Sequence, residues 1–305
     1  MELSANNIIW SKGPLRNTYS QKQTEHGSSA SEIRNIITSA GAGTSAVGTS
    51  VIFIRNGSGN HVSDLELFAN QLELLRRPII LVTTDGDRSM PQTHDLHKTI
   101  KKILVSPLIL KWYTQNYDKS LIHPKLAPFP IGFDLHTEPW LVNNSIKEKI
   151  KYMIDARNKS PTNTRISTKI FSDTHHSFTH PERRQLYHLL LNNKRIDFLE
   201  NRLPFVEITE VYNKYNFVLS PRGGGLDCHR TWELFLAGNI VITKTSSLDE
   251  MYIKNHLPVV ILQDWSELND NNLEHKLHDW YNTYIGFTSI SHIFPRLTFD
   301  YWLNT

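Results

Sequence analysis

The sequence predicts an α/β protein made of two doubly wound parallel-sheet halves, residues 1–158 and 159–305. Three observations support this. Short runs rich in β-branched residues alternate with stretches carrying apolar residues at helical spacing, with short links between them. A Ser/Pro/Thr/Asn stretch, Lys159–Thr164, interrupts the alternation near the middle and reads as a linker. The length, 305 residues, suffices for two domains with their own cores.

Taken in order, residues 11–50 are rich in Ser, Thr, Gly and Gln, and Ser39–Ser45 reads as a flexible loop. Val51–Ile54 is a buried-strand run. Ser63 and Glu66 have the spacing of a capping box, and Leu65, Phe68, Ala69, Leu72 and Leu75 continue as a helix that Pro78 stops. Ile79–Val82 is the next strand, which makes a parallel βαβ unit. The pattern then predicts a strand over Ile103–Val105, a helix over Leu108–Asn116 and a strand over Ala127–Ile131. A Lys-rich helix is expected over Glu138–Arg157. Beyond the linker, strands are expected at Lys169–Ser172, Arg195–Leu199, Phe217–Ser220, Ile240–Thr243 and Val259–Leu262. Helices are expected at Glu182–Leu191, Phe205–Lys214, Asp227–Leu236 and Leu273–Tyr284. Ligands of such folds bind beyond the carboxyl ends of strands, and a cleft between the two halves is the expected place.

Composition narrows the function classes. The net charge of +3 is spread without a polybasic block, which argues against nucleic acid as a partner. The single cysteine, Cys228, allows no internal disulfide and suits a reducing compartment. No apolar run approaches the ~20 residues that span a bilayer, and the first residues lack the basic-then-apolar form of a leader. A soluble, cytoplasmic chain with no membrane span is expected.

The chemistry concentrates in one segment. Strand Phe217–Ser220, the turn Pro221-Arg222-Gly223-Gly224-Gly225 and a helix from Asp227 form a recipe for an anion site. Glycines let backbone N–H groups approach phosphate oxygens, the helix N-terminus adds positive potential, and Arg222 and Arg230 add guanidinium forks. His229, Arg230 and Glu233 share one helix face, while Cys228, Trp232 and Phe235 should face the core. That face offers donors for a diphosphate and a carboxylate that can accept the hydroxyls of a ribose. Ser220 and Asp227 flank it. A second cationic feature lies at Thr179–Arg184. Thr179 and Glu182 have capping-box spacing, and Arg183 and Arg184 occupy a first helical turn that disfavours cations, which points to an anionic ligand or a neighbouring carboxylate.

The string from Ser220 to Glu233, with Leu234–Val241 after it, resembles the signature of exostosin-like glycosyltransferases, in particular their short virus-encoded and microbial relatives. The strong match covers residues 211–255, with weaker similarity at Lys111–Asn116 and Pro130–Asp134. The resemblance implies a GT-B architecture of two Rossmann-like domains, the donor held by the C-terminal one. It implies a UDP-sugar donor (xylose, galactose, glucose or a uronic acid), a glycan or glycoprotein acceptor, inversion at the anomeric carbon and no metal. On it, Arg222 and Arg230 would hold the diphosphate and Glu233 the ribose. A chain without the membrane anchor and second catalytic module of animal exostosins is expected.

Other features compete. His175, His176 and His180 cluster, but without a recognisably spaced fourth ligand they read as a polar loop. Asp85-Gly86-Asp87 after a strand is the pattern by which metal-dependent GT-A transferases chelate a divalent ion, and also an ordinary turn. Inversion requires a general base. Asp87, Asp134 and His61 are the candidates in that order, with Asp85 beside them, all following expected strand ends in the N-terminal half. A non-catalytic nucleotide- or glycan-binding protein on the same fold is the alternative.

Overall fold

A computed structural model of the chain describes residues 7–11, 28–39, 49–56, 64–92, 96–135 and 146–303. It divides into two compact units. The first takes the described residues of Asn6–Ile131, Gly225–Asp227 and Phe299–Thr305; the second takes those of Gly132–Gly224 and Cys228–Thr298. The division therefore falls after Ile131, not near residue 159. The expected linker is part of the second unit, where Ser160 Oγ donates to the Asn213 carbonyl (2.7 Å) and Arg165 Nε to the Ser160 carbonyl (2.9 Å).

The first unit holds a four-stranded parallel sheet, β1 (Ser50–Arg55), β2 (Ile79–Thr84), β3 (Ile109–Thr114) and β4 (Leu126–Pro128), in the order β1-β2-β3-β4. Its helices are α1 (Ala30–Ser39), α2 (Asp64–Ala69) and α3 (His97–Val105). Residues 103–116 reverse the expectation. Ile103–Val105 ends helix α3, whose Ile100, Ile103 and Leu104 are buried at helical spacing while the lysines between them face solvent. Ile109–Thr114 is a strand in the interior of the sheet. Trp112, Tyr113 and Thr114 are buried in succession, so both faces of the strand are covered and no alternation marks it. Polar groups there pair internally: Trp112 Nε1 donates to Thr83 Oγ1 (2.9 Å), and Thr83 Oγ1 to Thr114 Oγ1 (2.8 Å).

Helix α1 was not expected, yet its signal is in the sequence. Ser29 and Glu32 form a reciprocal capping pair: Ser29 N donates to Glu32 Oε2 (2.6 Å) and Glu32 N to Ser29 Oγ (3.2 Å), with Ile33 and Ile37 buried behind it. The loop expected at 39–45 falls, except for Ser39 in α1, outside the described residues, as do Ser63 of the other capping pair and the start of the Lys-rich helix.

In the second unit, α4 (Ile146–Lys159) precedes a five-stranded parallel sheet. Its strands are β5 (Ile166–Ser172), β6 (Ile196–Phe198), β7 (Tyr215–Leu219), β8 (Ile240–Lys244) and β9 (Val259–Leu262), in the order β6-β5-β7-β8-β9. The helices are α5 (Pro181–Leu190), α6 (Phe205–Tyr212), α7 (His229–Ala237), α8 (Asp249–Lys254), α9 (Leu273–Tyr284) and α10 (Ile290–Arg296), and α11 (Phe299–Leu303) returns to the first unit. Two Rossmann-like parallel sheets, as the sequence predicts, make up the chain. Among the described residues no helix is long and apolar enough to cross a membrane.

The order of the second sheet fixes where a ligand site belongs. After β6 the chain returns past β5 and continues on its other side, so the direction of winding reverses between β5 and β7. Loops leaving the carboxyl ends of those two strands diverge there and open a crevice. The sequential order of the first sheet contains no such reversal among the described residues.

Candidate functional site

The glycine-rich turn leaves β7 at this reversal, facing the loop Asp173–His180 that leaves β5. Helix α7 begins at Cys228, whose side chain makes no cap hydrogen bond. Its faces follow the expectation. Trp232 and Phe235 are fully buried and meet edge to face (5.6 Å, 87°), whereas His229, Arg230 and Glu233 are the half-buried positions. The helix ends at Gly238 in the left-handed region (φ 83°), where the next amide, Asn239 N, donates back to the Leu234 carbonyl (3.0 Å).

Each half-buried residue of α7 has a partner the sequence did not reveal. Arg230 Nη2 lies 3.3 Å from Asp173 Oδ2, at the end of β5, and the same oxygen accepts from Tyr212 Oη (2.8 Å). Burial by itself lowers the Arg230 pKa, but Asp173 and its neighbours outweigh it and hold the guanidinium above the ordinary arginine value. Burial, then Asp173, pushes the Tyr212 hydroxyl well up, so it stays a donor. Glu233 Oε1 accepts from Lys149 Nζ of α4 (2.8 Å), a buried lysine that also donates to the Asp134 carbonyl and lies 4.6 Å over the Phe205 ring. His229 Nδ1 is 2.8 Å from the Gly132 carbonyl. Thus Gly132–Asp134 lies beside α7 in the second unit, so candidate base Asp134 belongs to the unit that carries the glycine turn, contrary to its expected place in the other half.

Other expected ligand groups are engaged with the protein itself. Arg183 is buried, and its guanidinium donates to the carbonyls of Arg222 (2.9 Å), Ser177 (3.1 Å) and Pro221 (3.4 Å). Burial first, then the charge of Arg230, lowers its pKa. Because a trans peptide points its N–H opposite to its carbonyl, this grip turns the Arg222 and Gly223 N–H groups away from Arg183. Gly223 packs closely within the protein: a Cβ there would press on Cys228 Sγ at 3.2 Å and Arg183 Nη2 at 3.3 Å. Gly225 packs on Asn116, which a Cβ would meet at 2.7 Å. Asp227 stands before the helix, not in it. Its amide donates to Asn116 Oδ1 (2.9 Å) and its carboxylate accepts from Ile131 N (2.8 Å). Ser220 is buried, its hydroxyl 2.9 Å from Thr231 Oγ1, so it joins β7 to α7. Of the three glycines, Gly224 is the exposed one.

Two cationic groups complete the crevice. Arg222 is half-buried, with Nη2 on the Gly224 carbonyl (3.4 Å) and Nε without a hydrogen-bond partner among the described residues. Lys244, the last residue of β8, lies 3.5 Å from Glu182, which also accepts from Trp265 Nε1 (2.9 Å). With Glu182 so engaged, α5 is capped by His180 Nδ1, which accepts from Glu182 N (3.3 Å), and not by the expected Thr179–Glu182 pair. Burial, then the charge of Arg222, lowers the His180 pKa, which records how positive this corner is. Arg184 points elsewhere, stacked 4.9 Å from the Phe178 ring. The arrangement can bind a small polyanion: a turn of N–H groups, a helix N-terminus, Arg222, Lys244 and the paired Arg230 converge where three strands end.

The remaining candidates fall as follows. His175 stacks on Tyr187 (4.6 Å, 18°) and meets Phe198 edge-on, and His176 Nε2 is 2.9 Å from the Leu199 carbonyl. Burial, then the charge of His176, lowers the His175 pKa below its ordinary value of 6.5. A histidine that resists protonation in the fold stabilises it fully above the unfolded value near 6.5, and that contribution is lost as the pH falls through the lower folded value. The thermal midpoint should therefore drop between pH 7.5 and 5.5, and His175→Phe, which keeps the ring stack, should reduce that slope. Asp85 sits in a left-handed turn (φ 60°) with its carboxylate 3.0 Å from Arg55 Nε, and Asp87 is exposed beyond it. His61 lies outside the described residues.

No protein-family model matches the chain, and no curated protein matches it. Among solved structures, the chain is similar to a protein assigned as a UDP-N-acetylglucosamine 2-epimerase from Listeria monocytogenes. That likeness has 14% identity and a TM-score of 0.30, over 94% of this chain and 82% of that one. A second is the wall teichoic acid polymerase TagF (H548A), at 8% identity and a TM-score of 0.20, over 83% and 89%. Both TM-scores are low, and the fold rests on the strand orders above.

Proposed function

We propose that the chain is a glycosyltransferase of GT-B type that takes its sugar from a UDP-sugar. The observation that carries this reading is the place of the Ser220–Glu233 motif at the winding reversal of the second sheet, where an α/β fold of this kind holds nucleotides. The resemblance of residues 211–255 to exostosin-like transferases supports the same reading. Arg222, Lys244 and the outward N–H groups of the turn would hold the diphosphate, with Arg230 kept in place by Asp173. Glu233, steadied by Lys149, would accept from the ribose. The proposed reaction is inverting and metal-independent. The acceptor hydroxyl of a glycan or glycoprotein attacks the anomeric carbon as the bond to the diphosphate breaks. A carboxylate takes the hydroxyl proton, and the departing UDP keeps the electron pair beside the cationic groups.

Of the base candidates Asp87, Asp134 and His61, we favour Asp134, because Lys149 ties its backbone to Glu233. Asp134→Asn should lower kcat by about 10²–10⁴-fold, the usual worth of a general base, while UDP affinity stays unchanged. Equal loss of affinity and rate would remove Asp134 from that role. The reading as a whole is tested with a panel of UDP-sugars, scoring hydrolysis and transfer with and without chelator. Turnover that survives the chelator supports it. Turnover restored only by manganese would point to a metal-dependent transferase using Asp85 and Asp87. UDP binding without turnover would leave a non-catalytic nucleotide- or glycan-binding protein.

A further inference from the structure

We infer that the second unit carries a separate saccharide-binding site, in a cavity of about 460 Å³ between the start of β5 and helix α9. It lies at the opposite end of β5 from the crevice described above. Ser167 lines the cavity and Ser172 ends the strand at the crevice, a span of roughly 16 Å at the rise of an extended chain.

The cavity has a structural origin. Strand β5 pairs with β7 at Ile166↔Tyr215 and next at Ile170↔Phe217, a step of four residues against two. On its other edge β5 pairs with β6 only from Ile170 onward. Ser167–Lys169 are thus lifted out of the ladder as a bulge, a device that re-aims side chains beside sites. Helix α9 packs on this strand and forms the far wall of an open groove, with Thr168, Asn271, Asn272, Glu274, His275 and His278 exposed to solvent.

Its lining defines the ligand class. Ser167 and Thr168 offer hydroxyls, Asn271 and Asn272 offer amides, His278 an imidazole and Tyr281 a ring. Each of the first five side chains can donate or accept, which suits groups that do both, as sugar hydroxyls do. The Tyr281 ring supplies a flat apolar surface for the apolar face of a pyranose. Glu274, also in the lining, is paired with Arg195, and His275, the remaining lining residue, lies 3.5 Å from Asp279, so the charged groups beside the site are already engaged. The volume falls within the ~300–1,000 Å³ of small-molecule sites. This inference stands on the cavity and is independent of the donor reading.

Saturation-transfer NMR on the full chain tests it, with xylobiose, cellobiose, lactose and chitobiose as probes, each with and without UDP. At least one disaccharide should take up saturation in both conditions. Tyr281→Ala, which removes the ring's apolar surface, and Thr168→Trp, which fills the groove from an exposed position, should each weaken that binding about tenfold or more. Arg222→Ala should leave it unchanged. Thermal midpoints confirm that each variant folds, and Thr168→Trp serves if Tyr281→Ala does not. Absence of transfer from all four sugars, or binding that survives a folded cavity variant, would overturn the inference.

Discussion

Arg230→Met should lower the free energy of unfolding by about 3–5 kcal/mol, besides weakening nucleotide binding. The side chains of Arg230 and Asp173 are only 17% and 12% exposed, so removing the guanidinium strands a carboxylate in a poorly solvated place. Tyr212 still donates to Asp173, but one hydrogen bond from a neutral phenol does not replace a cation. Arg230 is therefore both a candidate ligand group and a structural one, and a loss of binding in this variant alone would not show contact with phosphate. The double variant Arg230→Met/Asp173→Asn separates the roles. With no charge left to strand, urea unfolding should recover much of the lost stability, while nucleotide affinity stays low. A single variant as stable as the parent chain would mean that the pair contributes nothing to the fold.

Arg157→Leu should cost a similar amount, about 2–5 kcal/mol. Arg157 and Arg165 are buried, and they serve the last turn of α7. Arg157 donates to the carbonyls of Leu236 (3.0 Å) and Thr288, and Arg165 to that of Ala237 (3.0 Å). Burial pushes both down to about 10, still cationic at neutral pH. Cations at a helix C-terminus offset its negative end. Leucine leaves two buried carbonyls without that donor, at about 1–3 kcal/mol each. The space for the guanidinium exists because residue 238 is glycine: a Cβ there would lie 2.9 Å from Arg157 Cζ. Denaturant midpoints measure the loss. Because these arginines hold the helix that presents Arg230 and Glu233, nucleotide affinity should fall with stability and be regained with a stabilising osmolyte.

The strand, glycine turn and helix face of the Ser220–Glu233 segment were legible in the sequence because the motif is contiguous. A strand, a glycine turn and a helix face can be read from neighbouring residues, and Trp232 and Phe235 fall on the buried side as the spacing requires. Its partners were not legible, since topology delivers them: Asp173 from the loop after β5, Tyr212 from α6, Lys149 from α4 and Lys244 from β8. For the same reason Ser220, Gly225, Asp227 and Arg183 read as ligand groups, although each is engaged with the fold itself. In the first unit, a strand covered on both faces carries no alternation, so Ile109–Thr114 passed for a helix. The apolar end of α3 passed for a strand. The Ser29–Glu32 capping pair was there to be found. Asp85 and Asp87 follow β2, whose place in the order β1-β2-β3-β4 marks no crevice, so the sequence offered no means of choosing among the proposed bases.

Calorimetric titration of UDP into the parent chain and into Arg222→Ala tests the central claim, that the crevice between β5 and β7 is a nucleoside-diphosphate site. Arg222 pairs with no carboxylate among the described residues, so its loss should spare the fold. The parent chain should bind one UDP, and Arg222→Ala should bind it about tenfold or more weakly, as expected for the loss of one charge-assisted hydrogen bond, with the thermal midpoint unmoved. No heat of UDP binding to the parent chain, or equal affinity in the two proteins, would contradict the assignment.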